Sequence, residues 1–107
     1  MASTIPRGNV LNAFVVQIAF DVTSVAINTT AERTMTVPGV KVGDICFVNK
    51  PSLNAGLGIC NVRVSAADTL AITYNNNTAG AIDPGSETYT VLVIRPDGTP
   101  PTRLPGA

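Results

Sequence analysis

The sequence predicts an all-β fold, an antiparallel β-sandwich (Greek-key or jelly-roll-like) of about 6–8 strands with extended terminal arms. Val, Ile and Thr account for 34 of the 107 residues, and branching at Cβ favours a pleated strand over a helix. Nine Gly, eight Pro and nine Asn provide turns. Between these turn residues lie short segments of alternating polarity, which is the pattern of packed antiparallel sheets.

The first half of the chain contains an arm and two strand candidates. Residues 1–12 are predicted to be an N-terminal arm because they hold Pro6, Gly8 and two Asn without periodicity. Residues 24–28 are a short mixed segment, and residues 33–37 alternate, with Met35 and Val37 inward. The strand at residues 13–22 has a period of two. Its predicted buried face consists of Phe14, Val16, Ile18, Phe20 and Val22.

The second half contains four strand candidates and a second arm, so that residues 13–96 form the predicted sandwich domain. Pro38-Gly39 marks a turn before the strand at residues 45–48. The predicted inward sets of the next two strands are Cys60, Val62 and Val64, and Leu70, Ile72 and Tyr74. The strand at residues 87–95 is apolar on both faces near its end, which predicts a central position. Pro96 ends that strand, and residues 97–107 are a Pro-rich C-terminal arm.

The composition argues against several functional classes. Charged residues make up 13% of the chain, with seven Lys and Arg against seven Asp and Glu. Such a chain lacks the basic face that binds nucleic acid and the basic patch that holds a protein on a membrane. It contains no His, the commonest general base, and no dinucleotide-binding fingerprint. We therefore expect no enzyme activity and no cofactor, and no catalytic, cofactor-binding or metal-ligating residues.

Two cysteines allow two interpretations. Cys46 and Cys60 lie in consecutive strand candidates, so a hairpin could bring them within disulfide distance. The N-terminus has no secretion signal, which favours synthesis in the cytoplasm and two small buried thiols instead. The matches to the glycosylation sequon at Asn28 and Asn76 are attributed to chance for the same reason.

Threonine and aspartate positions also have alternative interpretations. The threonines on outer strand faces could form an ice- or sugar-binding surface, but Thr is also the polar residue that best fits a strand. They are Thr34, Thr36, Thr69, Thr73, Thr88 and Thr90. Asp44, Asp68 and Asp83 lack the spacing of a Ca²⁺ loop. Capping of turns is the favoured role for these three residues.

The terminal arms contain the candidate interface residues. Ordering an arm costs on the order of 1–2 kcal/mol per residue, so an arm is ordered only against a partner. The candidate interface residues are Ile5, Pro6, Arg7, Arg103 and Leu104; the alternative is that both arms are ordinary frayed termini. Zero net charge and a mean hydropathy of +0.28 indicate that the domain buries part of its surface in an assembly.

Six segments of the chain resemble a recurrent small structural protein of tailed-bacteriophage virions. The resemblance covers about three-quarters of the chain and consists of turn residues and inward hydrophobic residues, in line with the sandwich pattern. The segments are residues 20–22, 31–37, 40–44, 53–57, 64–70 and 78–84.

The resemblance implies a capsid decoration (cement) protein. Such a protein is expected on the capsid surface of the virion, where a homotrimer binds and stabilises the shell of major capsid protein. The alternative is a fibre- or tail-associated β-sandwich module that recognises a host-surface glycan or another virion protein. Sugar sites usually contain exposed aromatic rings, whereas this chain has three Phe, two Tyr and no Trp. Only Tyr74 and Tyr89 combine a ring with a polar group.

Overall fold

The computed structural model describes residues 8–104, in which the chain forms six strands and no helix. Two antiparallel three-stranded sheets result. Sheet I has the order β1-β6-β3 and sheet II the order β2-β5-β4, which confirms the predicted all-β antiparallel sandwich. The strands are β1 (Val10–Val22), β2 (Thr29–Thr36), β3 (Ile45–Asn49), β4 (Leu57–Ala66), β5 (Thr69–Asn76) and β6 (Gly85–Pro96).

The strand pairs are nested. β1 pairs with β6, β2 pairs with β5, and β3 contacts β4 where the edges of the two sheets meet. This is the arrangement of a jelly roll, here with six strands. Among consecutive strands only β4 and β5 pair as a hairpin, and each of the other connections crosses between the sheets. β6 is central in sheet I, as predicted from its two apolar faces.

The hydrophobic core lies between the two sheets and is formed by alternate residues of the strands together with Val25, Val37 and Val40 from the connections. Full burial of one Val, Leu or Ile side chain stabilises a fold by about 1.5–3 kcal/mol. Because the buried residues come from strands far apart in the sequence, their packing holds the sandwich together. The buried apolar residues are Val22, Val25, Met35, Val37, Val40, Cys46, Val64, Leu70, Ile72, Tyr74, Tyr89, Val91 and Val93.

The edge strand β1 differs from the prediction at its N-terminal half. It begins at Val10, three residues before the predicted start. Its inward side chains pack against the core only from Val16 onward, and Phe14 is 58% exposed. The predicted burial of Phe14 is thus wrong, because an edge strand can run past the packed part of the opposite sheet. In the predicted segment 24–28, only Val25 forms a bridge, which pairs it with Ile82.

A β-bulge in β4 reverses the predicted orientation of Cys60. Ile59 pairs with Tyr74 and Asn61 with Thr73, so Cys60 is the extra residue between them. An extra residue shifts the alternation by one position. Ile59 therefore packs against the core, whereas Cys60 is exposed. Cys46 is buried and both thiols are free, so the predicted burial holds for Cys46 and is wrong for Cys60.

Asn76 anchors the loop between β5 and β6. Its fully buried side-chain amide donates to the Val25 carbonyl at 3.0 Å and to the Gly80 carbonyl at 2.9 Å. Its Oδ1 accepts the Thr78 N–H at 3.0 Å and lies 2.7 Å from the Thr78 hydroxyl. Every hydrogen-bonding group of this amide is satisfied, which offsets the cost of burying it. The sequon at Asn76 is thus part of the folded core.

Candidate docking surface

The acidic side chains singled out in the sequence hold turns together. Asp68 Oδ1 accepts the Gly39 N–H at 2.7 Å, and Asp83 Oδ1 accepts the Gly85 N–H at 2.9 Å. Within residues 8–104, no three His, Cys, Asp or Glu side chains are grouped as a metal site would require. The same part of the chain has no helix long and apolar enough to cross a membrane.

Both chain ends leave the sandwich at the same end of sheet I. Val10, the first residue of β1, pairs with Pro96, the last residue of β6. One residue further out, the Asp97 N–H donates to the Asn9 carbonyl at 2.6 Å. The segments before Asn9 and after Asp97 therefore start side by side.

An ion pair fixes the loop beside this end. Arg95 donates through Nε to Asp44 Oδ1 at 2.9 Å and through Nη2 to Asp44 Oδ2 at 2.7 Å and the Gly39 carbonyl at 2.8 Å. The Lys41 N–H donates to Asp44 Oδ2 at 2.9 Å, and only 3% of the Asp44 side chain is exposed. The hydrogen bond from Arg95, with help from the Lys41 amide, lowers the pKa of Asp44 despite its burial. The hydrogen bonds from Arg95 thus hold the turn that contains Gly39 and Asp44 against the end of β6.

An open cleft of about 490 Å³ lies between this loop and the start of the C-terminal arm. Val42, Gly43 and Lys41 line one side, and Gly98, Thr99 and Pro100 line the other. Val42 is 69% exposed. The cleft therefore offers an apolar side chain next to the point where both arms emerge.

The outer face of sheet I carries six apolar side chains in two adjacent rows, here called the apolar patch. The strand register aligns Ala13 with Ile94 and Ile45 in one row, and Val15 with Leu92 and Phe47 in the next. Val15 is 66% exposed and Phe47 is 58% exposed. The row that follows is Gln17, Thr90 and Asn49, which is polar and uncharged. The apolar patch lies at the end of the sheet from which both arms leave.

The predicted interface residues are only partly described by the structure. Ile5, Pro6 and Arg7 lie outside the described residues. Arg103 and Leu104 lie beyond β6 and are exposed, Leu104 to 80%. Neither residue forms part of the apolar patch, which belongs to the sheet.

The two tyrosines considered as sugar-binding residues lie in the core. Tyr74 and Tyr89 are fully buried, and their hydroxyl groups hydrogen-bond to each other at 2.8 Å. Neither ring is available to stack on a sugar. The predicted outer-face threonines do lie on outer faces, with Thr34, Thr36, Thr69 and Thr73 on sheet II and Thr88 and Thr90 on sheet I.

Comparisons with protein families, curated proteins and solved structures found no match for this chain. The likeness of the sequence segments to phage virion proteins therefore stays a prediction.

Sequence reasoning missed the apolar patch, although one signal of it was present. Leu92 and Ile94 make the outer face of β6 apolar, and from this feature the sequence predicts only that β6 is a central strand. Ile45 and Phe47 alternate with Cys46 and Val48, which are the inward pair. Register is needed to place Val15, Leu92 and Phe47 in one row, because these residues are up to 77 positions apart in the sequence.

Proposed function

We propose that this chain is a structural component of a tailed-bacteriophage virion, a capsid decoration protein that binds the major capsid protein as a homotrimer. It acts by binding rather than by catalysis and is located on the capsid surface. The proposal is supported by the resemblance of the six sequence segments and by the position of the two arms.

The pairing of Asn9 with Asp97 is the observation that carries this proposal. Two arms that start side by side at Asn9 and Asp97 can contact the same neighbouring surface. When the first arm binds, the second is held at high effective concentration, so weak contacts combine into stable attachment. In a homotrimer, three pairs of arms strengthen the attachment further. Arg103 and Leu104 follow β6 in the chain and are exposed, so they offer a cationic and an apolar side chain for this attachment.

The test is binding of the purified full-length protein to capsids assembled from the major capsid protein encoded in the same genome. Capsids are separated by gradient sedimentation and the bound copies are counted. We expect saturable binding and capsids that resist heat or chelators better when decorated. Absence of binding overturns the proposal, and specific retention of a host glycan by the free protein would support the alternative binding module instead.

Two deletion variants test the role of the arms. Deleting residues 99–107 retains the hydrogen bond between Asp97 and Asn9, and deleting residues 2–7 removes the N-terminal segment. Each variant should melt cooperatively near the wild-type temperature, because the core residues all lie between Val22 and Val93. Each should decorate capsids at least tenfold more weakly. Full occupancy by a truncated protein contradicts the role of the arm removed.

A further inference from the structure

The outer face of sheet I is free of charge over four consecutive rows. The rows start at Ala13, Val15, Gln17 and Ala19 of β1 and continue across β6, and the first three also cross β3. None of these described side chains is Asp, Glu, Lys or Arg. They are Ala13, Val15, Gln17, Ala19, Thr88, Thr90, Leu92, Ile94, Ile45, Phe47 and Asn49.

The outer face of sheet II has the opposite character. Arg63 of β4 donates to Glu32 of β2 through Nε and Nη2, both at 2.8 Å. This ion pair crosses the central strand β5, where Ala71 is small enough to be buried beneath it. Threonines occupy most of the remaining positions on this face. The outer face of sheet II is therefore suited to contact with water, whereas the outer face of sheet I is not.

The edge strand next to the apolar patch lacks the usual protection. Edge strands of free-standing sheets carry Lys, Pro or inward charges that prevent them from pairing with another chain. The 13 residues of β1 contain no Lys, Arg or Pro, and their one acid, Asp21, lies at the far end from the apolar patch. The β1 edge of sheet I is thus open to pairing with a strand of another chain, just as the outer face of the sheet is open to packing.

The size of this face suits a protein interface. With about 4.8 Å between strands and about 3.4 Å per residue, the whole of sheet I covers roughly 500 Å² before side chains are counted, of which the apolar patch occupies roughly 200 Å². The exposed side chains raise the accessible area towards the roughly 800 Å² that each partner buries in a standard interface.

We propose that the outer face of sheet I, centred on Val15, Leu92 and Phe47, joins copies of this chain to one another. An uncharged face is complemented by another uncharged face, and a second copy supplies one at the same concentration. Because the net charge is zero, no long-range repulsion holds copies apart. The described part of the C-terminal arm, through Leu104, is exposed and does not cover the face. The inference names the surface for the self-association included in the proposed function.

Sedimentation of the full-length protein over a wide concentration range tests this assignment. We expect wild-type chains to associate, and Val15→Lys and Phe47→Lys each to weaken association at least tenfold. Thr34→Lys is the matched control, since it places the same charge on an exposed edge-strand position of sheet II. It should associate like the wild type. A monomeric wild type, or equal weakening by all three substitutions, overturns the inference.

Footprinting of the unmodified chain makes the test independent of how the variants fold. Radical labelling of Val15, Phe47 and Leu92 should fall as concentration rises, while labelling of Ile59 and Leu53 stays constant. Unchanged labelling of the apolar patch in an associated species overturns the inference. Association through this face without capsid binding would support the inference and contradict the proposed function, so the two can fail separately.

Discussion

The hydroxyl groups of Tyr74 and Tyr89 hydrogen-bond to each other at 2.8 Å across the interior of the sandwich. Tyr74 belongs to β5 of sheet II and Tyr89 to β6 of sheet I, so this bond joins the two central strands. Phe20 of β1 packs edge-on against the Tyr89 ring, with 6.0 Å between ring centroids. Burial raises the pKa of both phenols, which keeps them protonated and able to donate.

Removing only one of the two hydroxyl groups should lower the free energy of unfolding at least as much as removing both. Tyr74→Phe or Tyr89→Phe leaves a buried hydroxyl without a partner, and we expect a loss of about 1–3 kcal/mol in the free energy of unfolding. The double variant should lose no more than either single variant, because no unsatisfied group remains. Urea unfolding of the four proteins measures this. Strictly additive losses would show that the two hydroxyls do not interact.

The ion pair between Asp44 and Arg95 should make stability depend on acid pH. Because the folded pKa of Asp44 is lowered, its contribution is complete above the ordinary value of 3.8 and is lost as pH falls through the folded pKa. Asp44→Asn should cost about 1–3 kcal/mol at pH 7, and the difference from wild type should shrink towards pH 2. Urea unfolding from pH 7 to pH 2 measures it, with Asp21→Asn as an exposed control. A difference independent of pH would contradict the role of the charge.

Gly56 should not tolerate a side chain. Its φ is +84°, and a Cβ there would lie 2.1 Å from Thr78 Cγ2. Gly39 has a similar φ of +96° with no atom near the position of a Cβ. Gly39→Ala should therefore lower the free energy of unfolding by about 1–2 kcal/mol because of backbone strain. Gly56→Ala should lower it by clearly more, because the added Cβ also clashes with Thr78.

Thr78→Ser supplies the control for that comparison, because it removes Cγ2 and keeps the hydroxyl that contacts Asn76. Combined with Gly56→Ala, it should recover the part of the loss that exceeds the Gly39→Ala value. Thermal melting of the single and double variants measures these losses of stability. Equal losses at the two glycines would mean that Thr78 moves aside without cost.

The inward and outward positions of β6 should respond differently to a charge. Val91 is fully buried between the sheets, whereas Thr90 points to the outer face. An unpaired charge at Val91 has no compensating group, and Val91→Asp should abolish cooperative folding because its cost approaches the total stability of about 5–15 kcal/mol. Thr90→Asp should retain a cooperative melting transition. A cooperatively melting Val91→Asp protein would refute the assigned orientation of the strand.

The two thiols should react at very different rates in the native protein. Cys60 is exposed at the β4 bulge, whereas burial and the nearby negative charge of Asp44 raise the pKa of Cys46. A thiol reagent should label one group per chain under native conditions and both in denaturant. Cys60→Ser should abolish the native reaction. Labelling of two thiols at one rate would show that Cys46 is not protected.

Much of the fold follows from local sequence patterns. Alternation identified the strands that contain Met35, Leu70 and Val91, because a strand with one buried face must repeat every two residues. Cys60 was misassigned because a bulge adds one residue without a sequence signal. Phe14 was misassigned because burial at a strand end depends on how far the opposite sheet extends.

The sequence by itself determined the class of fold, the central position of β6 and the low content of charged residues, since these depend on side-chain chemistry and short-range periodicity. Only the tertiary structure decided that the two arms start side by side at Asn9 and Asp97. It also decided that Val15, Leu92 and Phe47 form one apolar row. Both results depend on pairing between strands far apart in the chain, and that register is selected by packing of the whole core rather than by any local segment.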